Sequence, residues 1–261
     1  MSDWSAAQYS KFKKERTIPA VDLANSIKCE NANSVLDIGC GTGNSTAVLA
    51  KKFPCAKITG ADNSDDMLAA ARKENPHIEF IKLDAEKEID SVEKRYDVVF
   101  SNACIQWVPN HRKLLKSLFS LLSDGGTLAI QIPQQSKHPV HNIMKSLSKS
   151  DKWKDKLRVQ RIYNNLPENE YYDILSELTD SFRIWETTYF HSIPSYESII
   201  EWYKGTGLRP YLEQLSADDR KDYLGDVMQC LRDTYPMQKN GEIIFKFPRL
   251  FFVAQMTLKH R

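Results

Sequence analysis

Residues 35–46 read VLDIGCGTGNST and place an acid, Asp37, near the end of an apolar run and just ahead of Gly39, Gly41 and Gly43. Glycines let the backbone bend tightly and let a ligand come close, and a helix starting just after them offers unpaired N–H groups to a polar ligand. Further acids close the next two β-type runs, Asp62 in AKITGAD and Asp84 in IEFIKLD, while the run YDVVFSN leads into Ser101, Asn102 and Ala103. Carboxylates gathered at one edge of a sheet repel one another. The pattern therefore asks for a ligand that brings positive charge and hydrogen-bond donors.

The glycine spacing narrows that ligand. A dinucleotide fingerprint runs G-x-G-x-x-G, whereas here the glycines fall as G-x-G-x-G, with Asn44 where the third glycine would stand. This favours S-adenosylmethionine, whose amino-acid end needs less room than a pyrophosphate. Its sulfonium, amine, ribose and adenine amine match the row of acids, and Asp62 is placed to accept both ribose hydroxyls. A nicotinamide-linked dehydrogenase is disfavoured by Asn44 and by the want of a catalytic His or Tyr-Lys pair. The five cysteines, Cys29, Cys40, Cys55, Cys104 and Cys230, include no C-x-x-C pair, so reduced thiols are expected. Pro54-Cys55 reads as structural, and Cys104 as a buried structural thiol. His138 and His141 in HPVH lack a third ligand nearby, so no metal is expected.

Positioning these residues requires a parallel sheet. The runs NSVLDIG, AKITGAD, IEFIKLD, YDVVFSN and TLAIQIP are short, β-branched or aromatic and nearly continuous in apolar character, as strands covered on both faces should be. Helical patterns alternate with them, such as SDDMLAAARKE with Ser64 as N-cap, and HRKLLKSLFSLL stopped by the turn signal SDGG. Right-handed crossovers then give a doubly wound, Rossmann-like α/β fold. Two later β-type runs, RIWETTYFHSI and RLFFVAQMTL, are expected to form an antiparallel edge pair, making seven strands with a helical cap between the two runs. The expected partition is an N-terminal helical segment (1–33) closing over the site, a cofactor-binding core (34–133), a helical insertion with the sixth strand (134–193), a helical cap (194–246) and the last strand (247–261).

Composition sets limits on partners. At 261 residues with 41% hydrophobic and 27% charged residues the chain can bury one large core. Lys plus Arg number 36 against 34 Asp plus Glu, a net charge of +2, which gives no general case for gripping nucleic acid. The N-terminus lacks a signal-like apolar core, and no apolar run approaches the roughly 20 residues needed to span a bilayer. A cytoplasmic protein with no membrane partner is expected, with a monomer favoured.

The glycine loop and strand-end residues together resemble the class I S-adenosylmethionine-dependent methyltransferases. The resemblance implies a cofactor site of Asp37, Gly39, Gly41, Asn44, Asp62, Asn63, Met67, Asp84, Ala85, Asn102 and Ala103. In it Gly39 and Gly41 line the methionine part, Asp62 holds the ribose, Asp84 contacts adenine and Asn102 faces the methionine end. Met67 either packs on adenine or fills its helix's core. The chain has SNACIQWVPNH where amino methyltransferases carry Asn/Asp-Pro-Pro-Tyr, which excludes the commonest form of base methylation.

The motifs SDW, Y..F..ER..PAVDL, GNSTAVL, NACIQWVPNH, YYDIL, IWETTYFH..PS...IIEW, TGLRPYL and NG.I.....PRLFFVA run in order along essentially the whole chain. They are similar to those of the trans-aconitate methyltransferase family. One departure is Ile18, where the family commonly has a second arginine two residues after the one matching Arg16. The resemblance implies methylation of one carboxylate of a tricarboxylate anion, with S-adenosylhomocysteine as the other product. A carboxylate with a pKa of about 4 is already a nucleophile at neutral pH, so no catalytic base is expected. Catalysis would come from positioning in a site that excludes water. The remaining carboxylates need cationic forks. Arg16 beyond Tyr9 and Phe12, Arg209 in TGLRPYL and Arg249 at the start of the last strand are the candidates, though each could equally serve in a surface ion pair. Tyr9 is expected beside the substrate, Trp107 and Gln106 are expected to wall the methyl site, and Gln131 to donate a hydrogen bond to the substrate or to Trp107's loop. The alternatives are transfer to another small carboxylate or a phenol, or a non-catalytic S-adenosylmethionine-binding protein.

Overall fold

The computed structural model describes residues 13–159, 162–204 and 206–257. A helix, α1 (Lys13–Ser26), leads into β1 (Ser34–Ile38), α2 (Asn44–Lys52), β2 (Lys57–Asp62), α3 (Asp65–Glu74), β3 (Glu79–Lys82), β4 (Tyr96–Asn102), α4 (His111–Ser120) and β5 (Leu122–Pro133). There follow α5 (Pro139–Leu147), α6 (Glu168–Leu178), β6 (Phe182–Ile193), α7 (Tyr196–Lys204), α8 (Arg209–Leu212), α9 (Ala217–Thr234) and β7 (Ile243–Gln255). The strands form one seven-stranded sheet in the order β3-β2-β1-β4-β5-β7-β6, with β1 to β5 parallel and β7 antiparallel to β5. This is the expected doubly wound, Rossmann-like sheet with its edge pair.

Strand register decides which side chains share a face. Asp37 aligns with Phe100, Asn102 with Gln131, Gln131 with Phe251, and Pro133 with Arg249. Aligned residues point the same way and the pattern repeats every second residue, so Asp37, Asn102, Gln131 and Arg249 stand on one face. The alternate residues, among them Leu36, Val99, Ile130 and Phe252, join Leu115 and Leu118 of α4 and Ile174 and Leu175 of α6 in the main core. Each such fully buried aliphatic side chain contributes roughly 1.5 to 3 kcal/mol through burial. Helix α1 packs on β4 and β5.

Local signals behave as their chemistry requires. Ser64 caps α3, its hydroxyl accepting from Met67 N at 3.4 Å, with Asp65 and Asp66 in the first turn where the helix dipole favours anions. Helix α4 stops at Ser120, but SDGG does not form a free turn: it lies inside β5, where Gly125 at φ 76° and a register shift between Tyr96 and Val98 absorb it. Strand β7 begins at Ile243, earlier than the RLFFVA run, because IIFKFP alternates buried Ile243, Phe245 and Phe247 with exposed Ile244 and Lys246.

The chain groups into two compact units. One comprises the described residues up to Pro133 with Asn164–Thr187 and those from Arg249 on; the other comprises Gln134–Tyr163 and Thr188–Pro248. Residues of α6 stay with the first because Tyr171, Ile174 and Leu175 lie in its core. Residues 134–163 belong with the cap residues because Trp153 Nε1 donates to Asp226 at 2.7 Å and Val159 N to the Gln214 side chain at 2.8 Å. Inside that second unit the buried His138 ring packs edge-on against Phe247, with centroids 4.6 Å apart.

Candidate active site

The strand order reverses between β1 and β4, and open sheets of this kind bind ligands outside the carboxyl ends of their strands at that point. The glycine loop occupies it, with Gly39, Gly41 and Gly43 all in the left-handed region at φ 71°, 54° and 84°. A Cβ on Gly39 would overlap the Cys104 side chain, and one on Gly43 would meet Asn75 Nδ2 at 2.8 Å. Gly41 has nothing within 4 Å of that position, so it is the glycine that faces open space. Cys104 therefore packs against the loop, and burial pushes its thiol up to about 12, which makes it a poor nucleophile.

Two acids support this loop from within the protein. Asp62 Oδ2 accepts from Gly41 N at 2.9 Å and Oδ1 from Ser64 N at 3.0 Å, so the carboxylate that ends β2 also pins the bend. Burial raises its pKa despite these bonds. Asp37 is fully buried; Oδ2 accepts from the Ser45 and Thr46 hydroxyls, both at 2.7 Å, while Oδ1 has no hydrogen-bond partner. Desolvation lifts its pKa to about 6, with the Asp62 charge adding in the same direction. These carboxylates take hydrogens from hydroxyl and amide groups, leaving negative charge that a bound cation would stabilise. The adjoining cavity is lined by Gly39, Gly41, Asn44, Asn102 and Ala103 with Thr17 and Ala20 of α1.

Around the rim, Asp84 Oδ1 accepts from Glu86 N at 2.9 Å, and Asp84 N donates to the Glu88 carboxylate at 2.7 Å, fixing the turn after β3. Ala85 packs on the main core, Asn63 is exposed at the end of β2, and Met67 is buried on α3. Ala103 holds φ 54°, a conformation that costs a non-glycine residue of order 1 kcal/mol and that redirects the chain straight after Asn102.

Beyond Asn102 the polar groups come from distant parts of the chain. Arg249, only 5% exposed, donates from Nη1 to Gln131 Oε1 at 3.4 Å. That bond leaves the fully buried Gln131 with its Nε2 donor unmatched. Gln106, also buried, donates from Nε2 to the Ala103 carbonyl at 2.6 Å and keeps an unmatched Oε1. Asn102 Oδ1 is likewise buried and unmatched. Buried polar atoms are rarely left so, and a cluster of them at the strand ends is where water or a ligand completes the bonding. Trp107 is half-buried and closes the turn Ile105–Trp107 through Trp107 N to Cys104 O at 3.0 Å.

A methyltransferase domain model matches residues 35–126, the span from the glycine loop to the start of β5. The trans-aconitate 2-methyltransferases of Escherichia coli O157:H7 and Shigella flexneri are each 41% identical to the chain over 257 residues, covering 98% of this chain and 100% of theirs. The chain belongs to the trans-aconitate 2-methyltransferase family. The fold recurs at lower identity. The YcgJ protein from Bacillus subtilis superposes with a TM-score of 0.59 at 17% identity, covering 92% of this chain and 98% of that one. Phosphoethanolamine N-methyltransferase 2 of Haemonchus contortus, solved with S-adenosyl-L-methionine, gives 0.55 at 18% identity, covering 94% of this chain and 53% of that one.

Within this family member the structure brings together Asp37, Gly39, Gly41, Asn44, Asp62, Asn102 and Ala103 at one end, and Gln106, Gln131 and Arg249 beside them. Tyr9 lies outside the described residues, and so does the side chain of Arg16 on α1. Arg209 belongs to the other unit, where its Nε bonds Glu213 Oε1 at 2.7 Å, just past the end of α8. Asn165 was not anticipated: its Nδ2 donates to the Pro133 carbonyl at 2.7 Å and its Oδ1 is buried and unmatched. Its surroundings, YNNLPE, carry no motif, so only its burial at the end of β5 draws attention to it.

Proposed function

We propose that this chain transfers the methyl group of S-adenosylmethionine to a carboxylate of trans-aconitate, giving a monomethyl ester and S-adenosylhomocysteine. The observation that carries the acceptor's identity, within the family, is Arg249. Its guanidinium is buried at the carboxyl edge of the sheet beside a Gln131 amide whose donor is unmatched. An arginine fork and an amide N–H make a receptor for a carboxylate.

The residues of the glycine loop fit the cofactor, since Gly41 faces open space and, among the described residues, the buried Asp37 and the partly buried Asp62 carboxylates accept from hydroxyl and amide groups. The cofactor supplies an electrophilic methyl group on a sulfonium. The chain's own work is then binding and orientation. Asp62 offers acceptor capacity for ribose hydroxyls, Asn102 faces the methionine end, and Gln106 and Trp107 wall the transfer site. Arg249 and Gln131 hold a carboxylate of the acceptor other than the one that reacts. An ionised carboxylate attacks without losing a proton, so no side chain acts as base. As the methyl moves, opposite charges cancel, and a site that excludes water favours that change.

The test is product identification: the full chain is incubated with labelled cofactor and a panel of di- and tricarboxylates and phenols, and the ester is located by NMR. Methyl transfer to trans-aconitate well above the other acids is expected. With cofactor saturating, the rate should stay flat from about pH 6 to 9, because the acceptor is ionised throughout. A phenol as preferred acceptor, or a rate that rises through that range, would replace this reading.

A further inference from the structure

We infer that His111 and Tyr171 form a buried positioning pair that holds the Ile105–Trp107 turn, and with it Gln106 and Trp107, against the acceptor; this rests on the reading that those two residues wall the transfer site. His111 is 1% exposed and Tyr171 fully buried. His111 Nε2 lies 2.8 Å from the Ile105 carbonyl, which can only accept, so Nε2 carries the proton. Nδ1 is then an acceptor, and the Tyr171 hydroxyl donates to it at 2.5 Å. The same hydroxyl accepts from Leu166 N at 3.3 Å. One neutral tautomer thus satisfies every polar atom of the pair.

The bonds converge on one place. Ile105 O also receives Val108 N at 2.9 Å, closing the turn, and Gln106 O receives Asn164 N at 3.0 Å. Asn165, next along, bonds the Pro133 carbonyl at the end of β5. Tyr171 therefore grips the segment 164–166 while His111 grips the turn, and the two grips meet at a single hydrogen bond between α4 and α6. An apolar pair could fill this space without the desolvation cost of an imidazole and a phenol. The polar pair adds direction, because two hydrogen bonds fix where the turn sits.

Protonation would place a second N–H against the hydroxyl, turn its hydrogen away from Nδ1 and leave it without an acceptor. The groups acting on the pair are the Ile105 and Val108 carbonyls, Leu166 N and the Glu170 carboxylate, and burial lowers the His111 pKa. The turn should loosen only when pH falls below the ordinary imidazole range.

The experiment uses the full chain with saturating cofactor and varied trans-aconitate, far below the melting temperature. His111→Asn keeps an acceptor near Nδ1 but loses the donor to Ile105; kcat/KM should fall about ten- to a hundredfold. His111→Gln keeps that donor and should stay within about fivefold of the native enzyme, without the acid limb. Tyr171→Phe should raise the acceptor KM about tenfold and move the acid limb to higher pH, since the hydroxyl that favours neutral imidazole is gone. Cofactor Kd should be unchanged in all three. If His111→Asn fails to fold, the isosteric Tyr171→Phe decides alone. A lowered Tm in these variants with native KM, kcat and acid limb would overturn the proposal and leave the pair a structural contact. Trp107→Ala separates the underlying reading: native kinetics there would show that the turn does not wall the site at all.

Discussion

At the proposed cofactor end, the acids that close β1 and β2 bond within a short stretch of chain, between Asp37 and Ser64. Asp62 bonds Gly41 N and Ser64 N, while Asp37 bonds the first turn of α2. At the proposed acceptor end, Gln106, Gln131, Asn165 and Arg249 come from four separate segments, meet side chain to side chain or side chain to carbonyl, and leave buried atoms unmatched. The first end tolerates no added atom at Gly39 or Gly43, while Gly41 faces open space. The second is assembled from side chains of separate elements, and so should yield gradually in affinity when its members are changed.

That contrast predicts its largest effect at Gly39. Gly39→Ala must adopt φ 71° and displace the Cys104 side chain. Strain and overpacking together should cost about 2 to 5 kcal/mol, seen as a large drop in Tm and loss of cofactor binding by calorimetry. Adding Cys104→Gly should recover part of the loss, and equal loss in the double variant would place the strain in the backbone alone.

Arg249→Ala tests the other end. The acceptor KM should rise about ten- to several-hundredfold, reflecting roughly 1.5 to 3 kcal/mol for a charged hydrogen-bonded pair, with cofactor Kd unchanged. Arg249→Lys should recover only part, because a point charge lacks the fork. A change in cofactor Kd instead would dissolve the division between the two ends.

Asp37 sharpens the comparison through pH. Its folded pKa of about 6 lies above the ordinary carboxylate value, so between about pH 4 and 6 the folded protein keeps a proton that the unfolded chain releases. The group's contribution to stability therefore falls as pH rises through that window and stays low above it, by up to about 3 kcal/mol in total. Asp37→Asn should flatten this dependence, so its Tm relative to the native protein should improve from pH 5 to pH 8. A sulfonium ligand should offset the buried charge, so stabilisation by S-adenosylmethionine over S-adenosylhomocysteine should grow across the same window. A ratio independent of pH would mean that Asp37 does not sense the sulfonium.

The smallest effect is expected at Arg209. Its charge is already engaged by Glu213 in a partly exposed pair worth about 0.3 to 0.5 kcal/mol. Arg209→Ala should raise the acceptor KM less than about tenfold. A rise comparable to that of Arg249→Ala would make Arg209 an equal source of substrate recognition.

Asp37, Gly39, Gly41, Asp62 and Asn102 were legible as a group because each stands at the end of a run whose apolar continuity marks it as a strand, and parallel strands bring their carboxyl ends to one edge. Arg249 was legible for the same reason, since a last strand running antiparallel starts where the others finish. Asn165 and the Tyr171–His111 pair were not. Their partners are Pro133, Ile105 and Leu166, and nothing in local spacing says that the segment before α6 will lie along the ends of β4 and β5. The same limit explains the misplaced start of β7: Ile243, Phe245 and Phe247 are spaced as a strand, but only their burial distinguishes that pattern from the cap's helical neighbourhood. Periodicity and glycine spacing are local, so the sequence by itself determined the parallel sheet, the bend at its switch point and the ligand class that bend admits. Which amides are buried, which atoms are left unmatched and how high the Asp37 pKa stands depend on desolvation by residues far apart in the chain, and that only the tertiary structure decided.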